Sequence, residues 1–349
     1  MPETSPTQRV LRNLLQYGDL SFRDFVEIAL YHPETGYYSG PLNPVGKGGD
    51  YVTSPSLSPV FAFAIGRLIG EFVARADGAV CTFVDIGCGS GALSREIHPE
   101  IRSYGIDRTR GNSLLDVPRD GMHILFSNEL FDALPFARLV MRGRELHELW
   151  IDPNFDWVEH EAPEVYDDYF ASHGITLEDG QFADVSLDWG GLYREIASFS
   201  EHALIVSFDY GYRARQLFHP RVRRFGTAAS YTQHRVTRDL LANPGEQDLT
   251  AHINFDDLIR SGEELGASTL FFDRQAKFLL SLGITEHPLF APLDEVKPES
   301  VEAALALREA REEARRLVLP DGIGEEIRVL VQGRGVPLDG WSFQRNIIP

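Results

Sequence analysis

Cysteine is scarce: the 349 residues include two, Cys81 and Cys88, in one short stretch. Two thiols make neither a disulfide framework nor a four-ligand zinc site, and a bridge between them would bend an expected strand. They read as reduced thiols of a cytosolic compartment. Basic residues are outnumbered, 33 Lys+Arg against 52 Asp+Glu, for a formal charge of -19. That balance excludes nucleic acid and anionic membrane surfaces as expected partners and favours a cationic group. No run approaches the ~18 uninterrupted apolar residues of a membrane span. The N-terminal MPETSPTQRV has neither an apolar signal core nor the Arg-rich, acid-poor character of a transit peptide, so the expected location is cytoplasmic. No set of His, Asp and Glu has metal-ligand spacing, and no metal is expected. Repeats and low-complexity segments are also missing. What remains, 43% hydrophobic and 24% charged, is an ordinary globular composition. The length predicts two units, or one domain with large additions.

Residues 7–31 carry helical spacing at Leu11, Leu14 and Leu15, and Ser21 with Asp24 forms a capping pair before FVEIAL. Segment 32–59 is dense in Gly, Pro and Tyr, the composition of an irregular lid or binding surface. The run at 60–76 predicts a largely apolar helix. VCTFVDI (80–86) stops at glycines, as a buried parallel strand does. SYGID (103–107), HILFSNE (123–129) and ALIVSFD (203–209) predict further strands, and IRVLVQGRG a final strand or hairpin. Strands alternating with helices indicate a doubly wound α/β sheet with its ligand at the carboxyl ends. Residues 140–200 read as an elaboration of that sheet. Residues 300–318 predict a charged helix with a solvated face.

Asp85-Ile86-Gly87-Cys88-Gly89-Ser90-Gly91 joins an expected strand to a helix, where glycines let a ligand approach the backbone. Asp107, about 20 residues on, ends the second strand, where a carboxylate accepts from both ribose hydroxyls of an adenosine. Gly87, Gly89 and Ala92 also satisfy the dinucleotide fingerprint, so a nicotinamide enzyme is an alternative. Two details favour S-adenosylmethionine: the acid at Asp85, typical of D-x-G-x-G-x-G methyltransferase loops, and the third glycine at 91. Cys88 needs no reading beyond a small side chain, since nothing in the sequence around it supplies a base.

Glu129 and Asp132 follow the fourth expected element of the alternation, at a position facing a cofactor across the switch point of such a sheet. Methyl transfer is an in-line displacement, so catalysis is mainly orientation and desolvation. A guanidinium acceptor is planar and cationic, and two carboxylates grip it bidentately while offsetting charge on the reacting nitrogen. The plainer alternative has Asp132 capping a turn and Glu129 bonding local backbone. Asp209-Tyr210-Gly211 reads as a further active-site edge or a tight turn. His252 and Asn254 alternate with apolar residues as in a strand, a pattern that suits a satisfied buried histidine better than a general base.

HPETGYY, GGDYVTSPSLSPVF, DIGCGSGAL, SNELFDALP, VSFDYGY, NPGEQDLTAHINF and IRVLVQ stand in the order seen in MidA-type proteins. The chain resembles these S-adenosylmethionine-dependent methyltransferases, relatives of the mitochondrial complex I assembly arginine methyltransferase, from about residue 20 to 333. The resemblance implies a class I methyltransferase sheet with an additional, mainly helical substrate-binding part. It implies S-adenosylmethionine as cofactor and a protein arginine acceptor, by analogy a respiratory-complex-type subunit. Gly49, Asp50, Thr53, Ser54 and Pro55 match an N-terminal block implied to border cofactor and substrate. Gly87, Gly89 and Gly91 match the cofactor loop, and Asn128, Glu129 and Asp132 the post-strand motif. Ser56 replaces the family's usual Glu, and only eight residues separate Asp107 from Asp116, where relatives carry a longer segment walling the adenine. The implied organisation is 1–78 (N-terminal helices and cleft segment), 79–255 (methyltransferase core) and 256–349 (helical part and final strands). Competing readings are a non-catalytic assembly factor retaining the fold and a small-molecule methyltransferase.

Overall fold

The computed structural model describes residues 5–39, 59–97, 101–232, 235–292, 299–320 and 322–345. Gly49, Asp50, Thr53, Ser54, Pro55 and Ser56 lie outside them. The chain forms two compact units, each built from non-consecutive segments: 1–52, 131–192 and 211–258 in one, and 53–130, 193–210 and 259–349 in the other. The consecutive division 1–78, 79–255 and 256–349 does not coincide with them.

The second unit holds the main sheet. Its strands are β1 (Cys81–Ile86), β2 (Arg102–Ile106), β3 (Met122–Asn128), β4 (Ala203–Tyr212, whose last two residues belong to the other unit), β5 (Ser268–Arg274) and β6 (Ile327–Arg334). Their order is β2-β1-β3-β4-β6-β5. The first four are mutually parallel, while β6 runs antiparallel to both β4 and β5. This is the α/β sheet, with helices and a mostly parallel core, that the alternation of elements implies. All six residues of β1 are buried, as expected for a strand covered on both faces. Helix Pro59–Arg75 buries Phe61, Ala64, Ile65, Leu68 and Phe72 at helical spacing. Phe61 meets Phe208 edge-on at 5.3 Å, and Phe126 lies 5.5 Å from both Phe83 and Phe208. These rings form the middle of the core cluster.

Between β2 and β3 the chain makes only two 3-10 turns, Arg108–Arg110 and Leu114–Asp116. β2 is therefore the last strand on its side of the sheet among the described residues. Helix Val301–Arg316 forms as expected, with Arg308 bonded to Glu312 at 3.0 Å, but its charges are not all solvated: Arg311 is 4% exposed.

The first unit contains helices Pro6–Leu15, Phe22–Tyr31 and Glu164–Ser172. Ser21 caps the second of these, its hydroxyl accepting from the Asp24 amide at 3.1 Å. The addition expected to be mainly helical also carries two antiparallel sheets. One orders Leu20–Ser21, Glu145–Ile151, Ala137–Arg142 and Phe182–Val185, with Trp157–Glu161 paired to Glu145–Ile151; the other orders Arg235–Thr237, Ala229–Thr232 and Asp248–Thr250. The elaboration at 140–200 thus supplies strands. Asn254 is fully buried and donates to the Tyr169 hydroxyl at 2.9 Å, while His173 and Tyr169 share the Asp257 carboxylate at 2.7 and 2.8 Å. Asn254 therefore belongs to a structural polar network.

Candidate functional site at the carboxyl edge of the sheet

β1 pairs with β2 on one side and β3 on the other, so the strand order reverses at β1 and leaves a crevice at its carboxyl end. Asp85, Gly87, Gly89, Gly91, Asp107, Asn128 and Glu129 all lie at that edge of the second unit. Asp132 falls in the first unit.

The loop after β1 is locked by its backbone. The amides of Gly87 and Cys88 both donate to the Ile106 carbonyl, at 2.8 and 3.1 Å, and Gly91 donates to Cys88 at 2.7 Å. Gly87, Gly89 and Gly91 have φ of 73°, 48° and 67°, the left-handed region where a Cβ is penalised. At Gly87 space is short as well: a Cβ would stand 2.8 Å from Leu130 Cδ1. Cys88 Sγ packs over Gly105, where a Cβ would approach it to 2.9 Å. Burial pushes the Cys88 thiol up to about 11, which disfavours its thiolate at neutral pH and leaves packing as its visible part.

Asp107 ties the second strand to this loop. Its Oδ2 accepts from the Gly89 amide at 2.9 Å; its Oδ1 accepts from the Thr109 amide at 2.9 Å and the Thr109 hydroxyl at 2.6 Å. A carboxylate has about four acceptor sites, so capacity for ribose hydroxyls remains. Arg110, which the sequence reading passed over, reaches back from the 3-10 turn. Its Nε donates to the Gly89 carbonyl at 2.9 Å. A Cβ on Gly91 would stand 3.1 Å from its Nη2. A lone Arg in a short polar turn carries no periodic or motif signal, and its role follows only from the way the turn folds back.

Asp85 is 5% exposed. Burial raises its carboxyl to about 7 and the Asp107 charge adds to the shift, against a hydrogen bond with Ser94 and the Arg110 charge. A cationic ligand group beside it would favour the ionised form.

At the end of β3, Glu129 adopts φ 51°, unusual for a non-glycine residue. Its amide donates to the Phe208 carbonyl at 2.9 Å, and Asn128 Nδ2 donates to its Oε1 at 3.3 Å. Glu129 is therefore fixed to the neighbouring strand β4.

Within the first unit, Asp132 is 5% exposed and its carbonyl accepts from the Ala251 amide at 3.2 Å. Its charge acts on the buried Tyr38 hydroxyl, which donates to Asp248 at 2.9 Å. Burial raises Asp248 to about 6. Tyr31, stacked on Tyr38 at 5.5 Å, donates to the Ala133 carbonyl at 2.9 Å. Aromatic faces beside buried carboxyls form an environment that suits a guanidinium.

The second unit's edge fits S-adenosylmethionine: a glycine cradle without Cβ atoms, an acid for the ribose, and a buried acid for the cationic end. Comparisons with known proteins agree. Residues 111–272 match a family model described as "Putative S-adenosyl-L-methionine-dependent methyltransferase". A COG1565 superfamily member from Burkholderia thailandensis, solved bound to S-adenosyl-homocysteine, superposes with a TM-score of 0.83 at 25% identity, covering 99% of this chain and 97% of that one. The mitochondrial protein arginine methyltransferase NDUFAF7 of Danio rerio is 25% identical over 339 residues, 78% of this chain and 75% of its own. The human protein of that name is 22% identical over 419 residues, 99% and 88% of the two chains. The expectation of a cytoplasmic protein is overturned by these relatives, which are named as mitochondrial. The cofactor is S-adenosylmethionine, and the chain is similar to the MidA-type S-adenosylmethionine-dependent methyltransferases.

Proposed function

We propose that the acceptor is an arginine side chain of a protein, with Glu129 as the carboxylate that receives its guanidinium. The observation that carries this reading is the left-handed backbone of Glu129 at the carboxyl end of β3, one residue before the Leu130 side chain that abuts Gly87. Strain held at such a place by surrounding structure is a mark of function. The mitochondrial relatives, which are named protein arginine methyltransferases, support the acceptor class.

Bound there, the cofactor would supply a methyl group on a sulfonium: the carbon–sulfur bond breaks to leave the thioether S-adenosylhomocysteine, a carbon–nitrogen bond forms, and the proton lost from nitrogen passes to solvent. The chain's part is to bind and aim. Asp107 and the glycine loop, whose missing Cβ atoms let a ligand approach, hold the adenosine and amino-acid ends, and Asp85 takes the cationic end. Asn128 orients the Glu129 carboxylate, which accepts from guanidinium N–H groups and stabilises the positive charge on the reacting nitrogen. The acceptor protein is of respiratory-complex-subunit type, as the sequence resemblance implies.

The test is incubation of purified protein with tritiated S-adenosylmethionine and a whole-cell protein extract, followed by hydrolysis of labelled bands. Methylarginine in a discrete band, lost in Glu129→Gln, is the expected result. Label in lysine or in the small-molecule fraction overturns the acceptor class. Cofactor binding without label anywhere favours a non-catalytic assembly factor.

A further inference from the structure

Asp209, at the carboxyl end of β4, is fully buried. Its Oδ1 accepts from the Tyr210 amide at 2.9 Å, and its Oδ2 accepts from the Leu130 amide, across the sheet, at 3.2 Å. One residue earlier the Phe208 carbonyl accepts from the Glu129 amide at 2.9 Å. Consecutive residues of β4 thus grip consecutive amides of the turn in which Glu129 stands at φ 51°. Below the two strands, Ser127 donates to Ser207 at 2.9 Å in the buried pair directly preceding that turn. On its other side the turn meets the cofactor loop, because the Leu130 side chain fills the space that a Cβ on Gly87 would need.

A buried carboxylate is costly to keep, and it is retained where its oxygens are engaged. Here two N–H donors meet the two oxygens, one from β4 itself and one from the turn after β3, so each has its own acceptor. A left-handed non-glycine residue persists only when its surroundings over-determine it. The Asp209–Leu130 bond, the Phe208–Glu129 bond and the Leu130–Gly87 contact are those surroundings. We propose that Asp209 is a positioning residue, which holds the Glu129–Leu130 turn in its left-handed form and so sets Glu129 against the cofactor loop. The consequence for catalysis rests on the reading of Glu129 as the acceptor carboxylate; the hold on the turn does not.

Asp209→Asn keeps the size of the side chain but turns one acceptor into a donor facing an N–H. Labelling rate against cofactor concentration, with the extract at fixed concentration, is expected to show the limiting rate lowered at least about tenfold while the KM for S-adenosylmethionine stays within about twofold. A second readout needs no acceptor. Glycine adopts φ 51° without strain, so Asp209→Asn is expected to lower the melting temperature by about 3 °C or more in the wild-type background and by clearly less in Glu129→Gly. Should Asp209→Asn fold only in the Glu129→Gly background, the inference is likewise supported. If it fails to fold in both, or costs the same stability in both, Asp209 is a general strut of the sheet and the inference is overturned. A fully active Glu129→Gln removes the acceptor reading while leaving the melting-temperature result to decide the turn. An inactive Glu129→Gln beside an Asp209→Asn with wild-type rate and stability overturns the positioning role alone.

Discussion

Asp85 couples the cofactor site to pH. Its carboxyl ionises at about 7 in the fold against an ordinary value of 3.8, chiefly because of burial. The folded state therefore holds a proton that the unfolded chain has released over the window between those values. Its contribution to stability is fully present below about pH 4 and is lost as pH rises through about 7, at up to about 1.4 kcal/mol per pH unit. Asp85→Asn is expected to flatten that slope in denaturant titrations from pH 4.5 to 7.5; an unchanged slope would place its origin elsewhere. The same group predicts proton release when S-adenosylmethionine binds near pH 7, read by calorimetry in buffers of different ionisation enthalpy. At Gly87, alanine meets both the left-handed φ of 73° and Leu130 Cδ1, so cofactor affinity should fall about tenfold or more in a calorimetric titration. The glycines and acids of this site were legible because their chemistry is local to a loop. The conformation of Glu129 was not, since no residue type announces a strained φ that neighbouring strands impose.

Among elements, strands β1, β2, β3, β4 and β6 follow the sequence reading closely, since a buried parallel strand is a short apolar run ending in a turn. β5 was missed: STLFFDR runs without interruption into the apolar helix Gln275–Ser281, and periodicity cannot separate the two. Arg311 was misread because an alternation of Glu and Arg looks the same whether or not one side chain is buried. The Ser21 cap was legible from spacing alone, and Ser21→Ala is expected to cost about 1 kcal/mol, visible as a lowered melting temperature. The short connection after β2 puts Arg110 on the glycine loop, in the stretch where the sequence reading expects relatives to carry a longer wall. Its bond is to the carbonyl of the loop that both forms of the cofactor would share. Arg110→Ala should therefore weaken S-adenosylmethionine and S-adenosylhomocysteine alike, by roughly three- to tenfold; a loss confined to one of them would contradict this.

For the whole molecule, the charge of -19 was the plainest sequence signal and it bears on the acceptor. Attraction of a cationic substrate by an acidic protein is screened by salt, so label transfer should slow as ionic strength rises from about 0.05 to 0.3 M. Salt independence would argue against a basic acceptor segment. The division into units was not legible, because five passages of the chain between them leave no composition shift or linker to mark a boundary. The order of the main sheet also bears on synthesis. β6, the last strand made, lies between β4 and β5. On the ribosome both of those strands must wait with an open hydrogen-bonding edge, β4 for the roughly 6–25 s in which translation advances from residue 212 to residue 334. A nascent chain in that interval offers paired apolar edges to any passing strand, so occupancy by chaperones, and the yield of soluble protein, should depend on how quickly the ribosome reaches Ile327–Arg334.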